Sequence, residues 1–290
     1  MGYLYGFASV EDGEEISKLI EDVDFEGEIS LAYARRPNAV ISLAKECDVS
    51  VFVVARDDKD NKIVGVGACA IKNKIAYLTG LRARRRVNIP KCYALLGDFC
   101  KANDVKLTYT TILKSNTGVQ KMLEKERASM PNYVRFGECI VHIIRKHLRI
   151  KDKNNLIKAG NNYILENHQG EIIANCKAIE QWGFKQCIVK HYGWKIKVLK
   201  TFIGWIPKEG EVLKFFTLAD VKANDGIALE SLLRHASNMD FAGNFFLYGG
   251  ISSICPVKSL KYKSVVYIVD WEKKMQNAEG IELKLEVADL

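Results

Sequence analysis

No short cysteine pairing occurs in this chain. The eight cysteines, at positions 47, 69, 92, 100, 139, 176, 187 and 255, form no CxxC. Most stand inside apolar segments, where cysteine acts as a small hydrophobe. This argues against a disulfide frame and a zinc site and for a reducing cytoplasm. The five histidines show no metal-like or triad-like spacing, and His142 and His168 read as structural. Met1 to Phe7 lacks a basic n-region and a long apolar stretch, so no signal peptide is expected. Gly2 follows Met1, but residue 6 is Gly where a myristoylation motif needs Ser or Thr. No apolar run reaches the roughly 18–20 residues of a membrane helix. The basic residues form no long tract interleaved with aromatics, which argues against nucleic acid as the partner.

The 290 residues are 48% hydrophobic and 27% charged, with a net charge of +8. That is an ordinary globular composition, and the length predicts two domains. The charge is unevenly placed. Residues 11–30 carry nine acids and one base, Lys18, whereas residues 82–91 carry five bases.

The basic cluster lies between a strand pattern and a helix pattern. Lys62–Ile71 and Ile75–Leu81 are apolar runs, and 92–101 has helical periodicity. Val105–Leu113 reads as a further strand, followed by Ser115, Asn116 and an amphipathic helix. A strand that delivers cations to a helix start forms an anion site, because free N–H groups and the positive dipole end converge there.

Elsewhere, 8–22 reads as a helix capped by Ser9 with Asp12 near N3. Residues 23–38 read as irregular, and 39–47 as a short helix. A hairpin spans 49–56 and 63–71, and 133–144 reads as strand. The polar stretch 145–159 reads as a linker, placing a boundary near 150. Strands are expected at 162–168, 171–176, 186–190, 212–218, 245–248 and 264–271. Helices are expected at about 195–205 and at 222–236, the latter capped by Asn224 or Asp225. The alternating segment 281–287 reads as an edge strand.

Over roughly residues 5–145, from the acidic first helix past the helix ending Met122–Lys125, this order of elements resembles the GNAT acyltransferase family. The shared features are the hairpin ending Ile63-Val-Gly-Val-Gly-Ala68, the strand into Leu81, Arg86 five residues later, and Asn116 before a helix. The resemblance implies an α+β fold with a mixed sheet, and two such domains in tandem. Residues 1–150 would form the acyl-CoA-binding domain and 151–290 a second, smaller and degenerate one. It implies acetyl-CoA as co-substrate without a metal, and a small-molecule or protein amine as acceptor. Leu81, Arg82 and Ala83 would bond the pantetheine arm. Arg86, Val87, Asn88, Ile89 and Lys91 would form the phosphate loop, and Asn116 would touch the CoA arm. The family loop carries glycines where this chain has Ile89 and Lys91. Pro90 also lacks an N–H. Glu26 or Glu28 would act as base and Tyr133 as acid, since 117–128 contains no tyrosine. A catalytically silent ligand-binding or interaction protein on the same fold is the alternative reading.

Overall fold

The computed structural model describes residues 2–22, 24–25, 29–194, 197 and 207–290. Fifteen strands are described: β1 Tyr3–Phe7, β2 Asp24–Phe25, β3 Ile29–Arg35, β4 Val49–Asp57, β5 Ile63–Lys72, β6 Ile75–Ala83, β7 Leu107–Leu113, β8 Asn132–Arg145, β9 Asn155–Ala159, β10 Asn162–Glu166, β11 Ile172–Glu180, β12 Lys185–Tyr192, β13 Phe216–Ala223, β14 Phe245–Ile251 and β15 Leu260–Asp270. The helices are α1 Gly13–Glu21, α2 Ala39–Ala44, α3 Ile89–Ala102, α4 Thr117–Glu124 and α5 Gly226–Ala236.

The chain divides into two compact units. Unit 1 holds Met1–Phe136, Gly183–Val212 and Val266–Gly280; unit 2 holds Gly137–Trp182, Leu213–Val265 and Ile281–Leu290. A single cut near 150 therefore does not follow the packing, because the chain passes between units several times.

In unit 1 the sheet runs β1-β4-β5-β6-β7 and continues into β15. β1, β4, β5 and β6 pair antiparallel, and β6 pairs parallel with β7. Helix α1 turns Ile16, Leu19 and Ile20 inward, spaced at i, i+3 and i+4, onto a core containing Leu43, Phe52, Val54 and Ile63. In unit 2 the order is β9-β10-β11-β13-β14-β8. Again three antiparallel pairings precede one parallel pairing, β13 with β14. The core there gathers Ile144, Leu165, Phe216, Leu232, Leu233 and Phe246.

Several expectations need correction. α1 starts at Gly13 with Asp12 as its N-cap, and Ser9 instead donates its N–H to the Asp12 carboxylate at 2.8 Å. Residues 29–35 are a strand, because β12, far off in sequence, pairs with them. Residues 155–159 are an edge strand whose exposed polar side chains read as linker. Strand β13 starts at Phe216, and Val212 makes only an isolated bridge to Ile188. The segment 281–287 is no strand. Glu286 makes one isolated bridge, and a 3-10 turn spans Val287–Asp289. The expected helix at 195–205 falls outside the described residues, apart from residue 197.

Unit 1 also buries an ionic cluster. Glu46 pairs with Arg35, which is 4% exposed, and with Lys185 at 2.8 Å. Burial opposes the Glu46 charge, but Lys185 and Arg35 outweigh it and hold the carboxyl below the usual range. Removing one partner leaves a buried charge uncompensated, so Glu46→Gln should cost roughly 3–5 kcal/mol in urea unfolding at neutral pH. The folded pKa is depressed, so this contribution is present above about pH 4.3 and is lost as pH falls through the folded pKa. The gap between wild type and variant should therefore close on acidification.

Candidate functional site

The candidate site begins where β6 and β7 part. Their backbones pair only at Ile75–Leu107, Ala76–Thr108 and Tyr77–Tyr109, although the strands run on to Ala83 and Leu113. Just past the last pair, side chains take over. The Tyr77 ring stacks on Tyr109 at 4.9 Å, and its hydroxyl meets the Thr111 hydroxyl at 2.9 Å. The Thr110 hydroxyl donates to the Leu78 carbonyl at 2.8 Å. Three residues past Tyr77, Gly80 adopts φ +67°, a left-handed conformation open to glycine at little cost. The pairing of β5 with β6 also shifts register there. The result is a wedge whose walls, Thr79 to Arg82 and Thr111 to Leu113, are half-buried.

Leu81, Arg82 and Ala83 end β6 at this wedge. The Arg82 side chain donates to the Leu81 carbonyl at 2.8 Å. Burial pulls its pKa below the usual guanidinium range.

The loop beyond is held from several sides. The Arg84 N–H donates to the Val64 carbonyl at 2.8 Å. Val87 packs closely on Gly65, where a Cβ would stand 3.2 Å from a Val87 methyl. The Asn88 N–H donates to the Tyr5 hydroxyl at 2.8 Å, and the Lys91 ammonium lies 5.4 Å from the centre of the Tyr5 ring. Two of the arginines have internal partners: Arg84 pairs with Asp22, and Arg85 with the buried Asp57. Arg86 is exposed and has no ion-pair partner among the described residues.

The start of α3 differs from a bare phosphate cradle. Asn88 is the N-cap and its side chain accepts from the Lys91 N–H at 3.4 Å. The Ile89 N–H donates to the Val87 carbonyl at 3.1 Å, and Pro90 has no N–H. The amides that glycines would present to an anion are thus engaged within the loop. Asn116 does the same for α4, accepting from the Val119 N–H at 3.2 Å.

Tyr133 lies in a separate cluster of unit 1. Its ring meets Tyr93 and Tyr267 edge-on, at 6.2 and 6.4 Å between centres. Its hydroxyl is buried and makes no hydrogen bond of good geometry among the described residues. Burial and the neighbouring Tyr93 phenol push its pKa well above the phenol range. Tyr267 donates to Glu124 at 2.7 Å. Glu124, Tyr133, Arg135 and Met275 line a pocket of about 240 Å³. Glu26 and Glu28 lie outside the described residues.

Sequence reasoning missed Tyr5, Asp57, Glu124 and Tyr267. The surplus of acids at 11–30 facing the surplus of bases at 82–91 was a usable signal for Asp22. The tyrosine cluster had none, because its members come from distant segments.

No family model matches the chain, and no curated protein resembles it in sequence. Solved structures do. A GCN5-related N-acetyltransferase from Sphaerobacter thermophilus superposes with TM-score 0.55 at 11% identity, covering 92% of this chain and 95% of that one. The chain has the GNAT fold. A GCN5-related glucosamine N-acetyltransferase region of a fungal multi-domain GH3 β-N-acetylglucosaminidase gives TM-score 0.58 at 11% identity, covering 92% of this chain and 38% of that one. Saccharomyces cerevisiae N-myristoyltransferase with bound myristoyl-CoA gives TM-score 0.50 at 9% identity, over 92% and 82% of the two chains.

The cap at Asn88 makes a direct prediction. Asn88→Ala should lower stability by about 1 kcal/mol, with Asn88→Asp near neutral, in urea unfolding followed by circular dichroism.

Proposed function

We propose that unit 1 binds an acyl-CoA and transfers its acyl group to an amine, as an N-acyltransferase. The observation that carries this reading is the wedge of β6 and β7 opening beside the basic loop 82–91. The backbone of Leu81 to Ala83 holds the pantetheine arm and polarises the thioester carbonyl. Arg86, with Lys91, meets the phosphates through charge-assisted bonds. Val87, Asn88 and Ile89 shape the loop, and Asn116 borders the CoA arm. The unit 2 region serves as a second, degenerate GNAT-like domain.

In the reaction, the neutral amine attacks the thioester carbonyl. The C–N bond forms, the C–S bond breaks, and the thiolate leaves. A carboxylate takes the amine proton, and Glu26 or Glu28 is our candidate. The thiolate needs a proton in turn. Tyr133 is the sequence-derived candidate donor; burial and the Tyr93 phenol raise its pKa, which disfavours it against solvent or another acid. The acceptor is a small molecule or a protein bearing a primary amine. Acetyl-CoA is the first acyl donor to try, and the likeness to a myristoyl-CoA-bound structure adds longer acyl chains to the series.

Calorimetric titration with acetyl-CoA and with long-chain acyl-CoA tests this. One of them should bind, and Arg86→Glu should weaken binding at least about tenfold, the loss of one charge-assisted contact. No heat from any acyl-CoA at millimolar concentration would sink the acyltransferase reading.

A second outcome concerns Tyr133. Tyr133→Phe removes a buried hydroxyl that makes no hydrogen bond of good geometry among the described residues, so it should raise stability by about 1 kcal/mol. Steady-state turnover should change less than threefold. A hundredfold loss would make Tyr133 the acid after all.

A further inference from the structure

Unit 2 repeats the wedge and fills it differently. β13 and β14 pair only at Phe216–Phe246 and Thr217–Leu247, yet run on to Ala223 and Ile251. Three residues past Thr217, Asp220 has φ +51°, and the pairing of β11 with β13 shifts register there. Gly80 stands three residues past Tyr77 with the same handedness.

The two junctions differ in charge. Residues 82–91 follow Gly80 with five bases; the matching window after Asp220, residues 222–231, holds Lys222 against Asp225 and Glu230. The Asp225 carboxylate already accepts from the Ala228 N–H at 2.7 Å. The window 222–231 thus carries no cationic cluster like that of 82–91.

A stretch of polypeptide lies in this second wedge. Glu286 bridges antiparallel to Gly250, and its carboxylate accepts from the Asp220 N–H at 2.7 Å. Lys284 reaches the Asp220 carboxylate at 3.1 Å. Leu283, Leu285 and Val287 are buried, whereas Lys284 projects outward. A Cβ on Gly250 would stand 2.6 Å from the Leu285 carbonyl oxygen, so the close approach requires glycine. A pocket of about 260 Å³ remains beside the segment, lined by Leu218, Val221, Tyr248 and Leu283 among others.

We propose that the wedge of β13 and β14 is a binding site for an extended peptide, and that residues 281–290 of the same chain occupy it. The specificity is legible in the contacts. Apolar side chains at alternate positions enter the cleft. An acid at the position of Glu286 meets the Asp220 amide, and a base two residues earlier meets the Asp220 carboxylate. Unit 2 is then a peptide-holding module and not a second acyl-CoA site. This inference stands independently of the acyl-CoA reading of unit 1, because its readout is peptide binding.

The test keeps the folded chain. A specific protease site is placed in the exposed stretch 276–280, and the chain is cut after folding. Native mass spectrometry should show residues 281–290 retained. A fluorescent peptide of sequence 281–290 should exchange with them, read by anisotropy, and a Glu286→Lys peptide should bind at least tenfold more weakly. Three outcomes would overturn the proposal: the labelled peptide fails to bind, the Glu286→Lys peptide binds equally well, or loss of the segment abolishes cooperative unfolding. In the last case the segment is core and not ligand. Displacement of the labelled peptide by acetyl-CoA would also overturn it, since it would make this wedge an acyl-CoA site. A chain with Glu286→Lys, left uncut, gives the same information where cutting is inefficient: its 281–290 amides should lose hydrogen-exchange protection while those of α5 keep theirs.

Discussion

Two parallel strands that diverge expose the backbone groups that would have paired between them. Each such N–H or C=O costs free energy if it is buried without a partner. This constraint governs both units. β6 leaves β7 after Tyr77, and β13 leaves β14 after Thr217. In each case a left-handed residue three positions on turns the strand away, at Gly80 and Asp220. Asp220 takes this conformation against the usual side-chain penalty. Its carboxylate, held by Lys177 at 2.7 Å and Lys284 at 3.1 Å, supplies part of the compensation.

The units satisfy the freed backbone by different means, and charge decides which. In unit 2 an acidic side chain and an apolar stripe from residues 283–287 answer the wedge. In unit 1 the strand end delivers Arg84, Arg85 and Arg86 to the start of α3. Their internal partners are unequal. The Arg84–Asp22 pair is exposed on both sides, and such pairs contribute at most about 1 kcal/mol, so a phosphate can displace Asp22 easily. Arg85 holds the buried Asp57, whose carboxylate also accepts from the Lys59 N–H at 3.1 Å. Taking Arg85 away strands a buried charge, so it is the worse candidate for a ligand contact. Arg86 carries no such obligation.

Local periodicity was enough to read the hairpin of β4 and β5, helices α3 and α5, and the strand–helix–strand order around Leu81. Long-range pairing was not. Residues 29–35 looked irregular because their strand partner, 185–192, lies about 150 residues away in sequence. Leu283, Leu285 and Val287 alternate like an edge strand, yet they serve a cleft and not a ladder, and alternation alone cannot separate the two. Near the candidate site, the strand end at Leu81 to Ala83 was legible from the apolar run that precedes it. The engagement of Asn88 as a cap was not, since an asparagine before a helix fits a cap and an anion loop equally. The burial of the Tyr133 hydroxyl was invisible, because it depends on Tyr93 and Tyr267 closing around it.

The loop does without glycines for a physical reason. Glycine matters in a phosphate loop where backbone amides must face the anion at close range. Here those amides face inward: Asn88 takes the Lys91 N–H, Val87 takes the Ile89 N–H, and position 90 has none to offer. With no amides to present, a glycine would gain nothing, and Ile89 can be half-buried instead. In the proposed acyl-CoA reading, phosphate recognition falls to side chains, chiefly the exposed Arg86. Side-chain recognition needs only the wedge and a cation at the right distance past Gly80. The wedge in turn is set by where backbone pairing stops, which many sequences can encode. Identities of 9–11% to structures of the same fold are what that constraint permits.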